Sequence, residues 1–272
     1  MKTRILAAAV LLPLLLIIVL ALPKIVTAIL FGVMAVVASY ELMQGTGLVR
    51  HPRLTVYAMV SAFLVALWSY LGTPYAWGVL WVLVFVAALF GEMMLEHTKL
   101  RFEKLCITMV AGLLIPFLFT SLVRLHGNET AGRYLIMLPF VIAFLSDSCA
   151  YFAGLALGKH KLAPVISPKK TVEGFVGGVF GAMVGMVIYC LVLDLAFGFT
   201  VHYGYALIYG VVGSLGAVFG DLCFSVIKRQ TGIKDYGNLI PGHGGILDRF
   251  DSMMIVGPLV EVLMILIPVA VK

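Results

Sequence analysis

The sequence predicts an all-α polytopic integral membrane protein. Of its 272 residues, 62% are hydrophobic and only 12% are charged, whereas soluble domains carry about 25% charged residues. Its apolar runs are continuous and long enough to cross a bilayer as helices, which takes about 20 residues. A transmembrane barrel would instead need short strands of alternating polarity. The net charge of +6 does not indicate nucleic-acid binding, because no soluble basic domain is present to carry it.

Nine apolar segments are predicted to span the membrane. The first follows Met1-Lys2-Thr3-Arg4 and resembles a signal peptide, but a second run follows it at once, so we expect an uncleaved first span. The nine spans cover about residues 5–22, 25–43, 54–72, 76–92, 105–123, 134–155, 174–197, 205–224 and 252–271.

The basic residues predict the orientation of these spans. With the N-terminus in the cytoplasm, 15 of the 19 Lys and Arg residues fall in cytoplasmic segments and four fall outside. This asymmetry follows the positive-inside rule, so we expect a cytoplasmic N-terminus and an external C-terminus. The longest polar loop, residues 225–251, then faces the cytoplasm.

Polar groups divide the chain into two predicted parts. Residues 1–130 have few intramembrane polar groups and are expected to form a scaffold, with Glu41 extending from a span end to the surface. Residues 131–272 contain Asp147, Asp221 and the two longer cytoplasmic loops, 156–173 and 225–251, and are expected to be catalytic. Charges inside a membrane are costly, and functional sites are where they are usually found.

A stripe of polar residues is predicted at the end of the eighth span, where it enters the 225–251 loop. If the helix continues past the membrane, Asp221, Ser225, Lys228 and Arg229 lie along one face at helical spacing. The simpler interpretation is that the basic residues only extend to the lipid surface.

Two carboxylates end the loop, at the start of the ninth span. Asp248 and Asp251 are three residues apart and share a helix face. They are also typical first-turn acids of a helix. Together with Asp221 they would give hard oxygen ligands suited to Mg²⁺, with room for a second cation.

A glycine-rich turn lies between these ends of the loop. Gly244 and Gly245 allow the backbone to approach a ligand closely, and successive backbone N–H groups can bind phosphate. Lys234 and Arg249 flank the turn, and His243 could donate a hydrogen bond to a phosphate oxygen. The turn alone is weak evidence, but with its cations it is typical of a polyphosphate site.

A second polar segment opens the seventh span. Ser167 is expected to be the N-cap and Pro168 the first helical residue. Lys169 and Lys170 would then add cations to the positive end of the helix, although such lysines also occur as simple topology signals. Asp147 lies in the sixth span toward the same face.

These features together indicate phosphoryl or nucleotidyl transfer to a lipid at the cytoplasmic surface. The predicted site combines carboxylates for Mg²⁺, many cations and a phosphate-binding turn. It lies at the membrane surface, where lipids can reach it. Close packing of the later spans is expected from their small-residue faces, such as Gly177, Gly181 and Gly185. Such a face is also compatible with a homodimer.

The loop resembles the signature of the phosphatidate cytidylyltransferases. The signature has a Ser, then Lys-Arg, Lys-Asp, Gly, Pro-x-His-Gly-Gly and Asp-Arg-x-Asp. This chain matches every fixed position between Ser225 and Asp251. The segments at 146–154 and 167–173 and the nine-span layout also resemble the family.

The resemblance implies that the chain transfers CMP from CTP to phosphatidate, giving CDP-diacylglycerol and pyrophosphate, in a bacterial inner membrane. It implies Asp221, Asp248 and Asp251 as ligands of Mg²⁺, with Asp147 in support and Lys170 as a catalytic cation. The residues expected to bind substrate are Lys169, Ser225, Lys228, Arg229, Lys234, His243, Gly244, Gly245 and Arg249.

Three alternative functions stay open. A CTP-dependent lipid kinase, or a nucleotidyltransferase for another lipid phosphate, would use the same chemistry. A transporter would also show intramembrane acids and broken helices, but it would not need a loop rich in Lys, Arg and Gly on one side only.

Overall fold

The computed structural model describes residues 13–127, 131–239 and 244–272. The chain forms two compact units. The first unit contains the chain up to Gly127 together with Gln230–Arg249, and the second contains Asn128–Arg229 and Phe250–Lys272. Most of the 225–251 loop therefore belongs with the earlier part of the sequence. The roles predicted for the two halves, scaffold and catalysis, stay predictions.

The first unit is built from helices in the order α1 to α7. Residues 13–21 form α1, and α2 (Lys24–Tyr40) continues directly into a π-helical segment at Glu41–Gly45. The remaining helices are α3 (Pro52–Leu71), α4 (Tyr75–Leu95) and a chain of short pieces: α5 (Phe102–Met109), a π-helical segment (Val110–Leu114), α6 (Ile115–Phe119) and α7 (Ser121–His126). Helix α2 packs mainly against α3.

Local sequence explains where these helices begin and end. The Nδ1 atom of His51 accepts a hydrogen bond from the backbone N–H of Leu54, and Pro52 occupies the first turn of α3, where no N–H is needed. The helix ends at Gly72, whose φ of +59° is left-handed and therefore suited to glycine.

The second unit contains the later helices and two small sheets. It begins with α8 (Gly132–Leu135) and α9 (Met137–Leu157), followed by the antiparallel pair β1 (Lys161–Ala163) and β2 (Ser167–Thr171). Helix α10 (Val172–Phe197), strand β3 (Thr200–Val201) and helix α11 (Tyr203–Gln230) come next. The chain ends with α12 (Ile246–Phe250), which continues from the first unit, then α13 (Met253–Leu266) and β4 (Ala270–Val271), which pairs with β3.

Seven helices in the described part of the chain are long and apolar enough to cross a membrane. They begin and end close to the second to eighth predicted spans. The first predicted span lies partly outside the described residues. The ninth is a shorter helix, Met253–Leu266, because the residue before Pro268 is disfavoured in a helix and the chain after it pairs as a strand. The count of nine and the orientation stay predictions.

Small residues bring α9 and α10 into close contact, as the sequence predicts. A Cβ atom added at Gly177 would overlap Ala153, one at Gly181 would overlap Cys149, and Gly185 faces Leu145 in the same way. The glycines therefore serve packing between neighbouring helices of this unit.

Replacing Gly181 with Ala is expected to destabilise the protein by about 1–3 kcal/mol, because the added methyl group would overlap Cys149. The measurement is thermal unfolding of both proteins in the same detergent. Gly91→Ala is the matched control, since Gly91 also lies in a helix but nothing is within 4 Å of the added Cβ. The control should be neutral or slightly stabilising, because Ala favours helix more than Gly does. Equal losses in both variants would contradict the packing argument.

Candidate active site

The lysines of the 167–173 segment lie on a strand and not at a helix start. The sequence prediction that Ser167 is an N-cap and Pro168 the first helical residue is wrong, because these residues pair with β1 in an antiparallel hairpin. Thr171 caps α10 instead, and its Oγ1 accepts a hydrogen bond from the N–H of Gly174 at 3.1 Å. Lys169 and Lys170 thus precede the helix on an ordered hairpin.

Lys170 is paired with a carboxylate of α11. Its Nζ forms an ion pair with Oδ2 of Asp221, and the hydroxyl of Ser225, one turn further along α11, donates to Oδ1 of Asp221 at 3.4 Å. Asp147 in α9 interacts electrostatically with both Lys170 and Asp221. The structure therefore brings together four of the residues that the sequence selects.

Asp251 completes this acidic group in the second unit. Its side chain is buried, and the pKa of its carboxyl is raised to about 7, first by burial and then by the neighbouring negative charge of Asp221. Lys228 opposes this shift and Asp147 adds to it. Carboxylates from α9, from α11 and from the short connection between α12 and α13 thus repel one another where water has little access.

A cavity of about 450 Å³ opens beside these groups. Asp147, Lys161, Lys169 and Lys170 supply its polar lining, and Tyr151 and Phe175 contribute aromatic surface. It therefore offers both cationic and apolar walls, as a polar ligand with a lipid portion would need. A larger cleft of about 880 Å³ in the first unit is lined almost wholly by apolar side chains and by none of the predicted site residues.

Helix α11 carries the predicted polar stripe beyond the apolar segment. It contains 28 residues, a length of about 42 Å, compared with about 30 Å for the hydrocarbon core of a bilayer. Lys228 and Arg229 lie in its last turn. The Nε of Arg229 donates to the carbonyl of Ile166 at 3.2 Å, so this side chain contacts the hairpin. The helix does continue through these residues, which is the condition on which the predicted polar stripe depends.

The first unit holds the remaining predicted residues that the structure describes. Asp248 is buried, and its Oδ2 accepts backbone hydrogen bonds from Tyr236 at 2.7 Å and from Gly245 at 3.0 Å. Gly244 has a φ of +86°, which few residues other than glycine adopt. Lys234 and Arg249 are exposed, and His243 lies outside the described residues. Two separate parts of the loop, at Tyr236 and at Gly245, thus bind the Asp248 carboxylate.

The acidic group of the second unit supplies the type of ligand that a divalent cation prefers. Carboxylate oxygens are the ligands that Mg²⁺ prefers, and a bound cation would offset both the burial and the neighbouring negative charge that raise the pKa of Asp251. In the first unit, ligand atoms of His51, Glu92 and Glu96 also lie within 4.8 Å of one another. Arg53 contacts both of these glutamates, at 2.8 and 3.6 Å, and so offsets part of their negative charge.

One residue of this region was misjudged from the sequence. Glu41 was expected to extend to the membrane surface, but its side chain is buried and accepts hydrogen bonds from the N–H groups of Ile246 and Leu247. Its partners are more than 200 positions away in the chain. The one sequence signal that could have identified Glu41 is its position, because it is an acidic residue at the end of an apolar segment.

Known proteins resemble this chain over most of its length. Residues 2–267 match the family model described as "Cytidylyltransferase family". Proteins named phosphatidate cytidylyltransferase from Staphylococcus aureus (strain COL), Staphylococcus saprophyticus and Staphylococcus haemolyticus are 42%, 41% and 39% identical to it over 160 residues. Each match covers 59% of this chain and 58% of the relative, so the aligned part is less than two thirds of the relatives' length. Because the family model covers nearly the whole sequence, the chain belongs to the cytidylyltransferase family.

Proposed function

We propose that this protein transfers the cytidylyl group of CTP to phosphatidate, producing CDP-diacylglycerol and pyrophosphate. The observation that carries the proposal is the group formed by Lys170, Asp221, Asp147 and Asp251 beside a cavity with both cationic and apolar walls. Family membership and the names of the staphylococcal relatives support the same activity.

The reaction joins two anions, so charge is its main obstacle. An oxygen of the phosphatidate phosphate attacks the α-phosphorus of CTP, a new P–O bond forms, and the bond to the bridging oxygen of the β-phosphate breaks to release pyrophosphate. A lipid phosphate is already ionised near neutral pH, so no general base is required. Catalysis then depends on positioning the two substrates and on stabilising negative charge.

Each group of residues has a proposed role in that task. Lys169 and Lys170 in the cavity would bind phosphate oxygens, and Lys228, Arg229, Lys234 and Arg249 would add to the positive field. The family signature assigns Asp221, Asp248 and Asp251 as Mg²⁺ ligands, with Asp147 in support. When bound, Mg²⁺ would screen the repulsion between the substrates and stabilise the leaving pyrophosphate.

The activity can be tested with CTP labelled in two positions. Purified protein, Mg²⁺ and phosphatidate are incubated with CTP carrying ³²P at either the α- or the γ-phosphate. Cytidylyl transfer places the α-label, and not the γ-label, in the lipid and releases pyrophosphate. With diacylglycerol as the acceptor, transfer of the γ-label to the lipid hydroxyl would instead show a CTP-dependent lipid kinase, and no labelled lipid from lipid phosphates or from diacylglycerol would contradict both.

The membrane face is proposed from the charge asymmetry of the loops. We expect the site to face the cytoplasm, in the inner membrane of a bacterium, as the bacterial relatives suggest. Sealed inside-out vesicles should then use added CTP without permeabilisation, whereas right-side-out vesicles should need it. The reverse result would contradict the proposed orientation. A homodimer stays a prediction.

A further inference from the structure

Glu41 makes an unusual contact for an acid at the end of an apolar helix. Both of its carboxylate oxygens accept backbone hydrogen bonds from the glycine-rich loop: Oε1 from Ile246 at 3.1 Å and Oε2 from Leu247 at 2.8 Å. Only 5% of its surface is exposed. These two bonds join the π-helical segment Glu41–Gly45 to the turn just before Asp248.

The glycines of the loop leave space for this contact. A Cβ atom added at Gly237 or at Gly245 would overlap the Glu41 carboxylate, and one added at Gly45 would overlap the backbone carbonyl of Tyr236. The loop therefore lies directly against the π-helical segment, with backbone on backbone. A π-helical turn is rare and is frequently found at functional sites.

Asp248 is held by the same turn of chain. Its Oδ2 accepts the N–H groups of Tyr236 and Gly245, which lie next to Gly237 and Ile246 in the sequence. Glu41 accepts the two N–H groups that follow Gly245, those of Ile246 and Leu247. Because these two residues connect Gly245 to Asp248 in the chain, movement of the Glu41 carboxylate would change the direction of the Asp248 side chain.

We propose that Glu41 is a positioning residue that aims the Asp248 carboxylate. The inference rests on the proposed function only in treating Asp248 as a metal ligand. Residues behind a metal ligand typically change metal affinity or activity by about 10–100-fold when they are lost. Glu41 would be such a residue, although it lies outside the family signature at residues 225–251.

Glu41→Gln tests the proposal, with Glu92→Gln as the matched control. Glutamine offers one acceptor oxygen and one NH₂ group, so it cannot accept both N–H groups as a carboxylate does. Glu92 is equally buried, at 5% exposure, and lies in the same unit, but it bonds Arg53 and Tyr57. The control therefore removes the charge of a buried glutamate but leaves the hydrogen bonds to the loop in place.

Two measurements do not depend on turnover. Hydrogen exchange followed by mass spectrometry reports the amides of peptides covering residues 245–248, and electron paramagnetic resonance reports Mn²⁺ binding without substrates. We expect Glu41→Gln to speed exchange of this segment at least about 10-fold and to weaken Mn²⁺ binding about 10–100-fold. Glu92→Gln should leave the exchange of this segment unchanged, whatever it does to thermal stability.

A second variant keeps the test decisive if Glu41→Gln does not fold. Gly237→Ala places a methyl group against the Glu41 carboxylate, so it should produce the same two changes. If exchange accelerates while Mn²⁺ binding is unaffected, Glu41 is only structural and the proposal is wrong. The proposed function fails separately, if the wild-type protein makes no CDP-diacylglycerol, and the exchange and Mn²⁺ results do not depend on that assay.

Discussion

Replacing Asp248 with Asn is expected to lower Mg²⁺-dependent turnover at least about 100-fold while the protein still folds. The backbone hydrogen bonds that Asp248 accepts from Tyr236 and Gly245 go to one oxygen, Oδ2, so the amide oxygen of Asn can accept these two in its place. The other oxygen becomes an NH₂ group, which cannot bind a cation. Loss of a ligand should cost at least as much as loss of a residue behind one, which is about 10–100-fold.

The measurement for Asp248→Asn is the rate of CDP-diacylglycerol formation across a series of Mg²⁺ concentrations. Thermal unfolding in detergent shows whether the variant is folded. Glu103→Gln, an exposed acid-to-amide change in the same unit, is the control and should behave as wild type. Activity retained at all Mg²⁺ concentrations would show that Asp248 is not a ligand.

Replacing Lys170 with Ala is expected to raise the KM for CTP about 10- to 100-fold, or to abolish turnover. The ammonium group lies at the cavity and is paired with Asp221, so its loss leaves the carboxylates of Asp147, Asp221 and Asp251 without that cation. An anionic substrate would then meet a more negative site. Hydrogen bonds to charged groups contribute about 1.5–3 kcal/mol, which corresponds to this range of affinity.

The Lys170 prediction is measured by steady-state kinetics with varied CTP at saturating phosphatidate. Lys159→Ala is the matched control, because Lys159 is an exposed lysine of the same connecting segment that does not line the cavity. It should leave the KM for CTP unchanged. If both variants behave alike, the lysines of this segment serve only the orientation of the chain in the membrane.

Hydropathy was enough to predict most of the helices, because the cost of placing polar backbone in lipid leaves few alternatives to continuous apolar helices. The seven long helices follow the predicted second to eighth spans closely. The end of the last helix could also have been predicted from Pro268, since a residue before proline disfavours helix. Local sequence therefore predicts the helices well where the hydrogen bonding and geometry of the backbone leave few alternatives.

The features that could not be predicted from the sequence depend on contacts between residues that are distant in the chain. Ser167-Pro168 was compatible with a helix start by local preference, but pairing with Lys161–Ala163 places it in a strand. Glu41 looked like a residue at a span end, and no local pattern shows that its hydrogen-bond donors lie at Ile246 and Leu247. The catalytic residues could be predicted from the chemistry of the sequence motifs. The contact of Glu41 with the loop is seen only in the structure.

The attachment of the loop to Glu41 has a consequence for biosynthesis. The donors to Glu41 are made 205 and 206 residues after it, which at about 5–20 residues per second is roughly 10–40 s later. Until then a carboxylate at the end of the second helix has no backbone donors from the loop, and a charge within a membrane costs about 2.5–3.5 kcal/mol on insertion scales. The first unit, although it is encoded mainly at the start of the chain, can therefore mature only after Arg249 has left the ribosome.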